Sequence, residues 1–502
     1  MSFLGIDVGT SGCKAAIFTE EGKLLRLAYE EYDYQRPQPG WAQLDTAQVW
    51  QQIKRTISSA GGGVKEDPVQ ALCVSSLGEA FVPVTDKREI LGPSLLNFDI
   101  RGEGYLNDLQ GAISDEDLYR INGNTIGTQF SVTKLKWLKQ TQPDLYQQAD
   151  KFLHWSGFVA FMLGAEAFID YSLANRTLLF DLERRDWSEK MLRLAKIDRE
   201  KLPPAVPSGR VIGAIGKDIA KELGLPTGIP IVSGAHDQCC NGIGCGVINP
   251  GRAMYGMGTY ICVMPVFELR PEPSVMMSRG LNTEHHAVPG QYVSFIYNQG
   301  GVLVKWFRET FASAERQSAR AAEKDLYTIL MAEMPEDLSR VMVLPYFTIT
   351  GPPRFISDLS GVMAGLKLET TRGEILKGIL EATTFYIREC IEMLPGTGIA
   401  ITDFRAVGGG SKSEAWLQIC ADILGRPIVR PKINEAGALG AAILSGTGSG
   451  AFSTIEDGVE AMVHLDRTFE PESSRQRIYD ERYAKYQRLE PLLADYLRDL
   501  AA

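Results

Sequence analysis

The sequence predicts an α/β protein built from two related halves around a shared cleft. The first 74 residues run strand, strand, strand, helix and strand, an order typical of a layered fold with a mixed sheet. A second strand, glycine turn and strand begins at Gly251, about half the chain after the first such plan begins at Phe3. Because 502 residues exceed the range over which one hydrophobic core keeps growing, we expect two domains, residues 1–247 and 248–502.

In the first half, short turns join three strands, so neighbouring strands must be antiparallel. A helix start at Asp45 is followed by Val49, Ile53 and Ile57 on one face, and the three glycines at 61–63 end the helix. An apolar run then forms a buried strand. The predicted strands cover residues 3–8, 13–18, 24–29 and 69–74.

The second half repeats the plan of strand, glycine turn and strand. A charged amphipathic helix near the chain end places Tyr483, Tyr486, Leu489 and Leu493 where they can dock on a neighbour. A further helix is made of small residues and is suited to close packing. The predicted strands cover 252–255, 260–265 and 405–407, and the helices cover 414–424, 435–444 and 473–502.

Composition excludes several classes of protein. An apolar content of 44% and a charged content of 23% are ordinary for a globular protein. The formal net charge of -10 argues against a nucleic-acid partner, because no clustered field of Lys and Arg meets the phosphates. The first apolar run contains Asp7 and no basic residue precedes it, unlike a signal peptide. No apolar run approaches the roughly 18 residues of a membrane helix, so we expect a cytoplasmic protein without a membrane partner.

Three cysteines, Cys239, Cys240 and Cys245, lie close to His236 in the sequence. A metal-thiolate site would need ligands that converge tetrahedrally, and adjacent cysteines differ from the usual spaced pairs. The cysteines are therefore interpreted as small packing residues.

The turn Gly9-Thr10-Ser11-Gly12 has the composition of a phosphate cradle. Glycine lets backbone N–H groups point at anionic oxygens, the two hydroxyls add donors, and Lys14 adds a cation. Asp7, at the end of the preceding strand, can hold Mg²⁺ through water. The alternative is a plain hairpin turn.

A second candidate for phosphate or nucleotide binding is the run Gly408-Gly409-Gly410 ahead of a helix, whose N-terminus favours anions. A plain tight turn is the alternative. No Gly-Lys-Ser/Thr phosphate loop is present, so a bound nucleotide would need a different fold.

Asp237 precedes the small-residue segment 242–246, and the turn at 256–259 follows within 25 residues. An acid beside a phosphate cradle suits the general base of phosphoryl transfer. A helix N-cap is the alternative interpretation.

The order of these features resembles the FGGY family of carbohydrate kinases. Residues 130–138 are similar to one family signature, and residues 361–366 with the following segment to 381 are similar to another. The resemblance covers almost the whole chain. It implies two duplicated ribonuclease H-like domains of the actin and hexokinase type, with an interdomain catalytic cleft. Within the first signature, Lys134 and Trp137 are expected to serve helix packing and surface charge.

The resemblance also implies roles for individual residues, with ATP and Mg²⁺ as cosubstrate and cofactor. Asp237 matches the base that takes the proton from the sugar hydroxyl, and Asp7 and Asp237 would hold the metal. The residues that would contact ATP are Gly9, Thr10, Ser11, Lys14, Gly258, Thr259, Gly301, Lys305, Gly409, Gly410 and Ser413.

For the acceptor, the resemblance implies a sugar site at Gly78, Glu79, Gln129, Asp237 and Gln238. Glu79 aligns with a polyol-binding glutamate of glycerol kinase, but Gly78 stands where that enzyme has arginine. Arg101 is placed beside this pocket or in a structural ion pair. The first substrate hypothesis is a ketopentose, and a different polyol, a ketose or an aldonate is the alternative. A noncatalytic nucleotide-gated protein is the alternative from another class, and dimers are frequent in this family.

Overall fold

The computed structural model describes residues 1–61, 67–313, 315 and 325–501. Gly62 and Gly63, predicted to end the first helix, lie outside these ranges. Residue 61 is the last residue of that helix as described. Strands and helices alternate through both halves, so the predicted α/β class is confirmed.

The first half carries the following elements. Its strands are β1 (Ser2–Val8), β2 (Gly12–Thr19), β3 (Leu24–Glu31), β4 (Gln43–Leu44), β5 (Val69–Ser76), β6 (Phe81–Val84), β7 (Ser94–Leu95), β8 (Lys151–His154), β9 (Ile169–Asp170), β10 (Phe180–Asp181), β11 (Asp186–Trp187), β12 (Ala205–Val206), β13 (Val211–Ala214) and β14 (Pro230–His236). Its helices are α1 (Thr46–Gly61), α2 (Leu106–Gln110), α3 (Asp115–Asn122), α4 (Ser131–Thr141), α5 (Pro143–Gln148), α6 (Trp155–Leu163), α7 (Tyr171–Asn175), α8 (Glu189–Ala195), α9 (Lys217–Leu223) and α10 (Asp237–Gly244).

The second half continues the numbering. Its strands are β15 (Gly251–Met257), β16 (Tyr260–Phe267), β17 (Glu284–His285), β18 (Tyr292–Val293), β19 (Ile296–Gln299), β20 (Met342–Leu344), β21 (Val362–Ala364), β22 (Ile401–Val407), β23 (Ile428–Pro431) and β24 (Leu465–Phe469). Its helices are α11 (Pro273–Ser278), α12 (Gly301–Phe311), α13 (Leu326–Ala332), α14 (Arg372–Glu392), α15 (Glu414–Leu424), α16 (Ala436–Gly448), α17 (Ile455–Met462) and α18 (Ser473–Ala501). Short 3-10 helices cover Glu103–Tyr105, Arg199–Lys201 and Gly409–Lys412.

The first large sheet has six strands in the order β13-β14-β5-β1-β2-β3. β1, β5 and β14 are parallel, whereas β2 is antiparallel to its neighbour β1, and β3 is antiparallel to its neighbour β2, as predicted. Parallel strands present their carboxyl ends at one edge of a sheet, where α/β proteins bind ligands. The register pairs Asp7 with Ser75 and His236 with Ser76. The first glycine turn, the loop after β5 and Asp237 therefore meet at this edge.

The second large sheet repeats this topology around β15. β15 is antiparallel to β16 and parallel to β22, and β22 is parallel to β23. β15, β16, β22 and β23 thus take the places of β1, β2, β5 and β14. The duplication predicted from the repeated glycine turns is confirmed, although β15 runs to Met257 and the turn begins at Gly258. The boundary between residues 247 and 248 stays a prediction.

The small-residue helix α16 lies against the first half of the chain, across α10 and β1. A Cβ atom at Gly440 would lie 1.9 Å from the carbonyl oxygen of Cys240, and one at Gly244 would lie 1.9 Å from that of Ala436. In β1, a Cβ atom at Gly5 would lie 1.8 Å from the carbonyl oxygen of Ala438. Glycine is therefore required wherever these backbones touch, which confirms the close packing predicted for α16.

The C-terminal helix α18 docks on the second half through its tyrosines. Tyr479, Tyr483 and Tyr486 are buried, and their rings lie 6.2, 5.7 and 5.3 Å from the ring of Phe385 in α14. The predicted docking face is confirmed, with its own domain as the neighbour. Across the described residues, no helix combines the length and apolarity needed to span a membrane.

Candidate active site

Asp237 is the first residue of α10 and directly follows the buried strand β14. Its Oδ1 atom accepts a hydrogen bond from Nε2 of Gln238 at 3.0 Å, and Nε2 of His236 lies 3.3 Å from the same oxygen. The N-cap residue of α10 is His236, so Asp237 is not the helix N-cap. Burial, followed by the nearby carboxylate of Asp7, raises the pKa of Asp237 to about 7. A carboxyl group that titrates near neutrality suits a general base.

Asp7 lies on β1 at the same sheet edge. Oγ of Ser75 donates a 3.0 Å hydrogen bond to its Oδ1 atom, while a Cβ atom at Gly437 of α16 would lie 2.9 Å from its Oδ2 atom. Burial raises the pKa of Asp7, and Lys14 and Ser75 offset part of that effect. Asp7 and Asp237 thus form a pair of interacting carboxylates between the two halves.

The first predicted phosphate turn connects β1 and β2. The N–H group of Gly9 donates to the carbonyl oxygen of Gly12 at 2.9 Å, and the hydroxyl of Tyr32 donates to the carbonyl oxygen of Gly9 at 2.6 Å. The turn is therefore also a closed hairpin, as the alternative interpretation held. At the tip of the turn, Thr10 is partly exposed and Ser11 is exposed.

The side chain of Lys14 forms an ion pair in this structure. Its Nζ atom lies 2.5 Å from Oε2 of Glu435, the residue before α16. The predicted cation for the phosphates therefore joins the two halves of the chain. Whether it also reaches a bound nucleotide stays a prediction.

The second turn, Gly258-Thr259, begins a cavity of about 810 Å³ in the C-terminal half. Carbonyl oxygens of this turn cap α12, because the N–H group of Gly301 donates to Gly258 and that of Val302 to Thr259, both at 2.9 Å. A Cβ atom at Gly301 would lie 2.5 Å from the carbonyl oxygen of Gly258, so this close approach requires glycine.

The cavity brings together seven of the residues that the sequence predicts for ATP. They are Gly258, Thr259, Gly301, Lys305, Gly409, Gly410 and Ser413. A Cβ atom at Gly410 would lie 2.8 Å from the ring of Trp416, whereas one at Gly409 would meet no atom within 4 Å. Glycine at 410 is therefore needed for packing, and glycine at 409 leaves open space on the cavity wall.

Sequence reasoning missed part of the wall. Asp325, Tyr327, Thr328 and Met331, around the start of α13, line the cavity opposite the glycines. Asp325 is the N-cap residue of α13 and accepts hydrogen bonds from the N–H groups of Tyr327 and Thr328. The sequence Asp-x-x-Thr could have predicted the start of this helix. It could not have predicted that the helix lies near the distant glycine turns.

The predicted acceptor loop follows β5 and is held by an arginine that sequence reasoning also missed. Nε of Arg176 donates to Oε1 of Glu79 at 2.7 Å, and Nη2 donates to the same oxygen. Glu79 is buried and has a left-handed backbone with φ 59°, which is uncommon outside glycine and often marks functional sites. A Cβ atom at Gly78 would lie 3.5 Å from Cγ of Arg176 and 3.0 Å from Nε2 of His236. Arg176 thus lies beside the position at which glycerol kinase has arginine.

Two residues of the first signature, Ser131 and Lys134, bond to backbone carbonyl oxygens of this loop and of other loops in the first half. Oγ of Ser131 donates to the carbonyl oxygen of Glu79 at 2.6 Å. Lys134, expected as surface charge, is instead buried, and its Nζ atom donates to the carbonyl oxygens of Asn97 at 3.2 Å and of Thr128. Burial lowers the pKa of Lys134 to about 8. The surface-charge prediction for Lys134 is wrong, because its ammonium group bonds to two loops from inside the domain.

Gln129 and Arg101 lie close to this support. The side chain of Gln129 folds against Gly127, and among the described residues no hydrogen bond joins it to Glu79 or Asp237. Arg101 forms a buried ion pair with Asp99, 2.6 Å between Nη2 and Oδ2, and stacks on Trp41 and Trp137. Of the two interpretations of Arg101, the structural ion pair is the one observed.

The site's donor set fits magnesium better than a transition metal. Within the described ranges, no three or more His, Cys, Asp or Glu side chains gather as a metal cluster. Cys239, Cys240 and Cys245 are buried free thiols. Asp7 and Asp237 supply two interacting carboxylates, and magnesium typically takes one or two carboxylates together with waters and substrate phosphates.

Comparison with known proteins agrees with this geometry. The N-terminal domain of the FGGY family of carbohydrate kinases matches residues 2–244, and the C-terminal domain matches residues 253–448. Xylulose kinase of Staphylococcus epidermidis is 27% identical over 96% of this chain and 95% of its own length. Autoinducer-2 kinase of Salmonella paratyphi B is also 27% identical, over 96% of this chain and 93% of its own. The crystal structure of xylulose kinase from Rhodospirillum rubrum superposes with a TM-score of 0.85 at 26% identity, over 99% of this chain and 100% of its own. The chain therefore belongs to the FGGY family of carbohydrate kinases and is an ATP-dependent sugar kinase.

Proposed function

We propose that this kinase transfers the γ-phosphoryl group of ATP to a hydroxyl group of a ketopentose, with Asp237 as the general base. The observation that carries the proposal is the position of Asp237. Asp237 follows β14 at the sheet edge that also carries Asp7 and the acceptor loop with Glu79, and both of these carboxylates raise its pKa. The similarity to xylulose kinases supports a ketopentose as the first substrate to test.

Phosphoryl transfer depends on positioning and electrostatics more than on covalent chemistry by the protein. Asp237 would take the proton from the acceptor hydroxyl as that oxygen attacks the γ-phosphorus, and Gln238 would hold the carboxylate through its hydrogen bond to Oδ1. A base placed in this way typically contributes a factor of about 10² to 10⁴.

For ATP, we propose that the cavity in the C-terminal half takes the nucleoside, with Gly409, Gly410 and Ser413 on its wall. The phosphates would then extend toward the turns at Gly9 to Ser11 and at Gly258 to Thr259. Asp7 and Asp237 would hold Mg²⁺, which when bound neutralises charge on the phosphates. A homodimer and a cytoplasmic location stay predictions.

The test is ADP formation from ATP and Mg²⁺ with a panel of acceptors. D-xylulose and D-ribulose should stimulate ADP formation most, ahead of glycerol, pentitols and aldonates. Stronger stimulation by one of the other acceptors would replace the ketopentose while keeping the kinase. If no acceptor in a broad panel stimulated ADP formation, the proposed substrate class would be wrong and the noncatalytic alternative would gain support.

A further inference from the structure

Arg176 holds together two carboxylates that come from different halves of the chain. Nη1 of Arg176 donates to Oε1 of Glu284 at 2.5 Å, while Nε and Nη2 donate to Oε1 of Glu79. The side chains of Glu79 and Glu284 are 4% and 1% exposed, and that of Arg176 is 12% exposed. Glu284 begins β17 in the second half, so residues of both halves meet at the acceptor loop.

Each glutamate uses only one of its oxygens in this cluster. Oε1 of Glu284 also accepts from Nδ2 of Asn282 at 2.6 Å, but the Oε2 atoms of Glu79 and Glu284 accept no hydrogen bond from a described residue. Neither Oε2 atom is among the fully buried polar atoms that lack a partner, so each keeps a small accessible surface. Both oxygens therefore retain the capacity to accept a hydrogen bond from a ligand that reaches the cluster.

The charge of the cluster is negative. Glu79 and Glu284 contribute two carboxylates, and Arg176 contributes one guanidinium whose Nε, Nη1 and Nη2 atoms all bond to the two glutamates. The nearby basic side chain of Lys134 does not neutralise this negative charge. The ammonium group of Lys134 is occupied by two backbone carbonyls.

Such a surface selects hydrogen-bond donors. Ionised carboxylates only accept hydrogen bonds, and bonds to charged groups are the stronger ones. Hydroxyl groups can satisfy the free oxygens, whereas a substrate carboxylate would meet like charges and an arginine that is already paired. A polyol or ketose fits this surface and an aldonate does not.

We propose that Glu284 is a second acceptor-binding carboxylate, positioned with Glu79 by Arg176, and that the pair restricts the acceptor to neutral polyhydroxy compounds. This inference rests on the proposed sugar-kinase site and specifies its substrate class. It also gives the second half of the chain a direct part in acceptor binding.

The test compares acceptors that differ only in an alcohol or a carboxylate at one carbon: xylitol with xylonate, ribitol with ribonate, and glycerol with glycerate. For the wild type, kcat/KM for the better-used alcohol should exceed that for its acid by at least about 100-fold, the scale of specificity that mismatched polar groups can produce. Glu284→Gln should lower kcat/KM for the alcohol by about 10- to 100-fold, the equivalent of losing one hydrogen bond to a charged group. It should also lower the ratio of alcohol to acid by at least about tenfold, with KM for ATP unchanged.

Glu268→Gln removes an exposed carboxylate on the same half of the chain and serves as the matched control, with no expected effect. Glu79→Gln should shift the alcohol-to-acid ratio in the same direction as Glu284→Gln, and remains informative if the latter fails to fold. An acid used as well as its alcohol, or a ratio unchanged in both glutamine variants, would overturn the inference.

Calorimetric binding of D-xylulose and of the same acceptors to the Asp237→Asn variant separates this inference from the proposed function. Tight binding of D-xylulose and of the alcohols, without phosphorylation of D-xylulose by the wild type, would support the binding site and contradict the ketopentose-kinase proposal. Phosphorylation of D-xylulose with equal binding of alcohol and acid would contradict only the inference about Glu284. Binding of none of these compounds by a folded variant would overturn both.

Discussion

Nε2 of His236 lies 3.3 Å from Oδ1 of Asp237, and the other ring nitrogen, Nδ1, is buried without a partner. Burial and the charge of Arg176 lower the pKa of His236 well below its ordinary value, so the ring is neutral and only one nitrogen carries a proton. The proton belongs on Nε2, where it can bond to the carboxylate, because a buried N–H group at Nδ1 would have no acceptor. We therefore assign His236 as the residue that positions the base.

The raised pKa of Asp237 predicts how activity depends on pH. With a pKa of about 7 in the free enzyme, the carboxylate is protonated at lower pH and cannot accept the proton of the acceptor. The acceptor's kcat/KM should therefore rise with pH, reach half of its maximum near pH 7 and level off above about pH 8. A pH–rate profile at saturating ATP measures this limb, and a profile flat from pH 5.5 to 8.5 would contradict the assignment.

His236 should determine the pH at which kcat/KM for the acceptor rises. Replacing it by Phe removes an N–H group that lies 3.3 Å from Oδ1 of Asp237 and favours the charged carboxylate, so the rise in activity should move to higher pH. His236→Gln retains a side-chain N–H group and should lie between Phe and the wild type. If a folded Phe variant kept the pH dependence of the wild type, His236 would serve packing only.

Gly409 offers a direct test of the nucleotide cavity. A side chain there meets no protein atom within 4 Å and its backbone does not need glycine, yet it lies on the cavity wall. Gly409→Val should raise KM for ATP by tenfold or more, about 1.4 kcal/mol, while the midpoint of thermal unfolding stays near that of the wild type. Gly104→Val is the control, since Gly104 also faces open space but lies outside the cavity. An unchanged KM for ATP in Gly409→Val would remove this wall from the proposed ATP site.

The crossing of α10 and α16 should be intolerant of a single methyl group. Gly440→Ala would place its Cβ 1.9 Å from the carbonyl oxygen of Cys240, so one backbone must move. Overpacking of this kind costs about 1 to 3 kcal/mol or more. Gly458→Ala, in the adjacent helix α17, meets only side-chain carbons of Ile443 and Phe452 and should cost less. Chemical denaturation compares the two, and equal stabilities would show that the helices can separate freely.

Regular elements and glycine turns could be predicted from the sequence because their causes are local. Alternating apolar residues and short turns determined the strands around Gly9 and Gly258, and repetition of that plan indicated the duplicated sheets. The seven predicted residues that line the cavity were implied by the family resemblance, in which these glycine turns take part. Asp237 could be selected because it precedes a small-residue segment and matches the base of that family.

The residues that were missed depend on contacts between distant segments. Arg176 follows the five-residue helix α7 and meets Glu284, 108 positions later, at the acceptor loop. Lys14 was assigned to phosphate, but its partner Glu435 lies at the far end of the other half. Periodicity carries no signal for such pairs. The same holds for Lys134, whose helix face could be predicted but not the loops that cover it.

The most direct test of the account is single-turnover phosphorylation of D-xylulose, or of the better acceptor found in the panel, by Asp237→Asn. We expect the rate to fall by about 10² to 10⁴ while the dissociation constant for ATP stays near that of the wild type. Because the folded-state pKa of Asp237 is raised above its unfolded value, ionisation of this carboxyl destabilises the fold as the pH rises through about 7. The Asn variant should therefore unfold at or above the wild-type temperature at pH 8, which excludes misfolding as the cause of its lost activity. A well-folded Asp237→Asn protein with wild-type turnover would contradict the central claim.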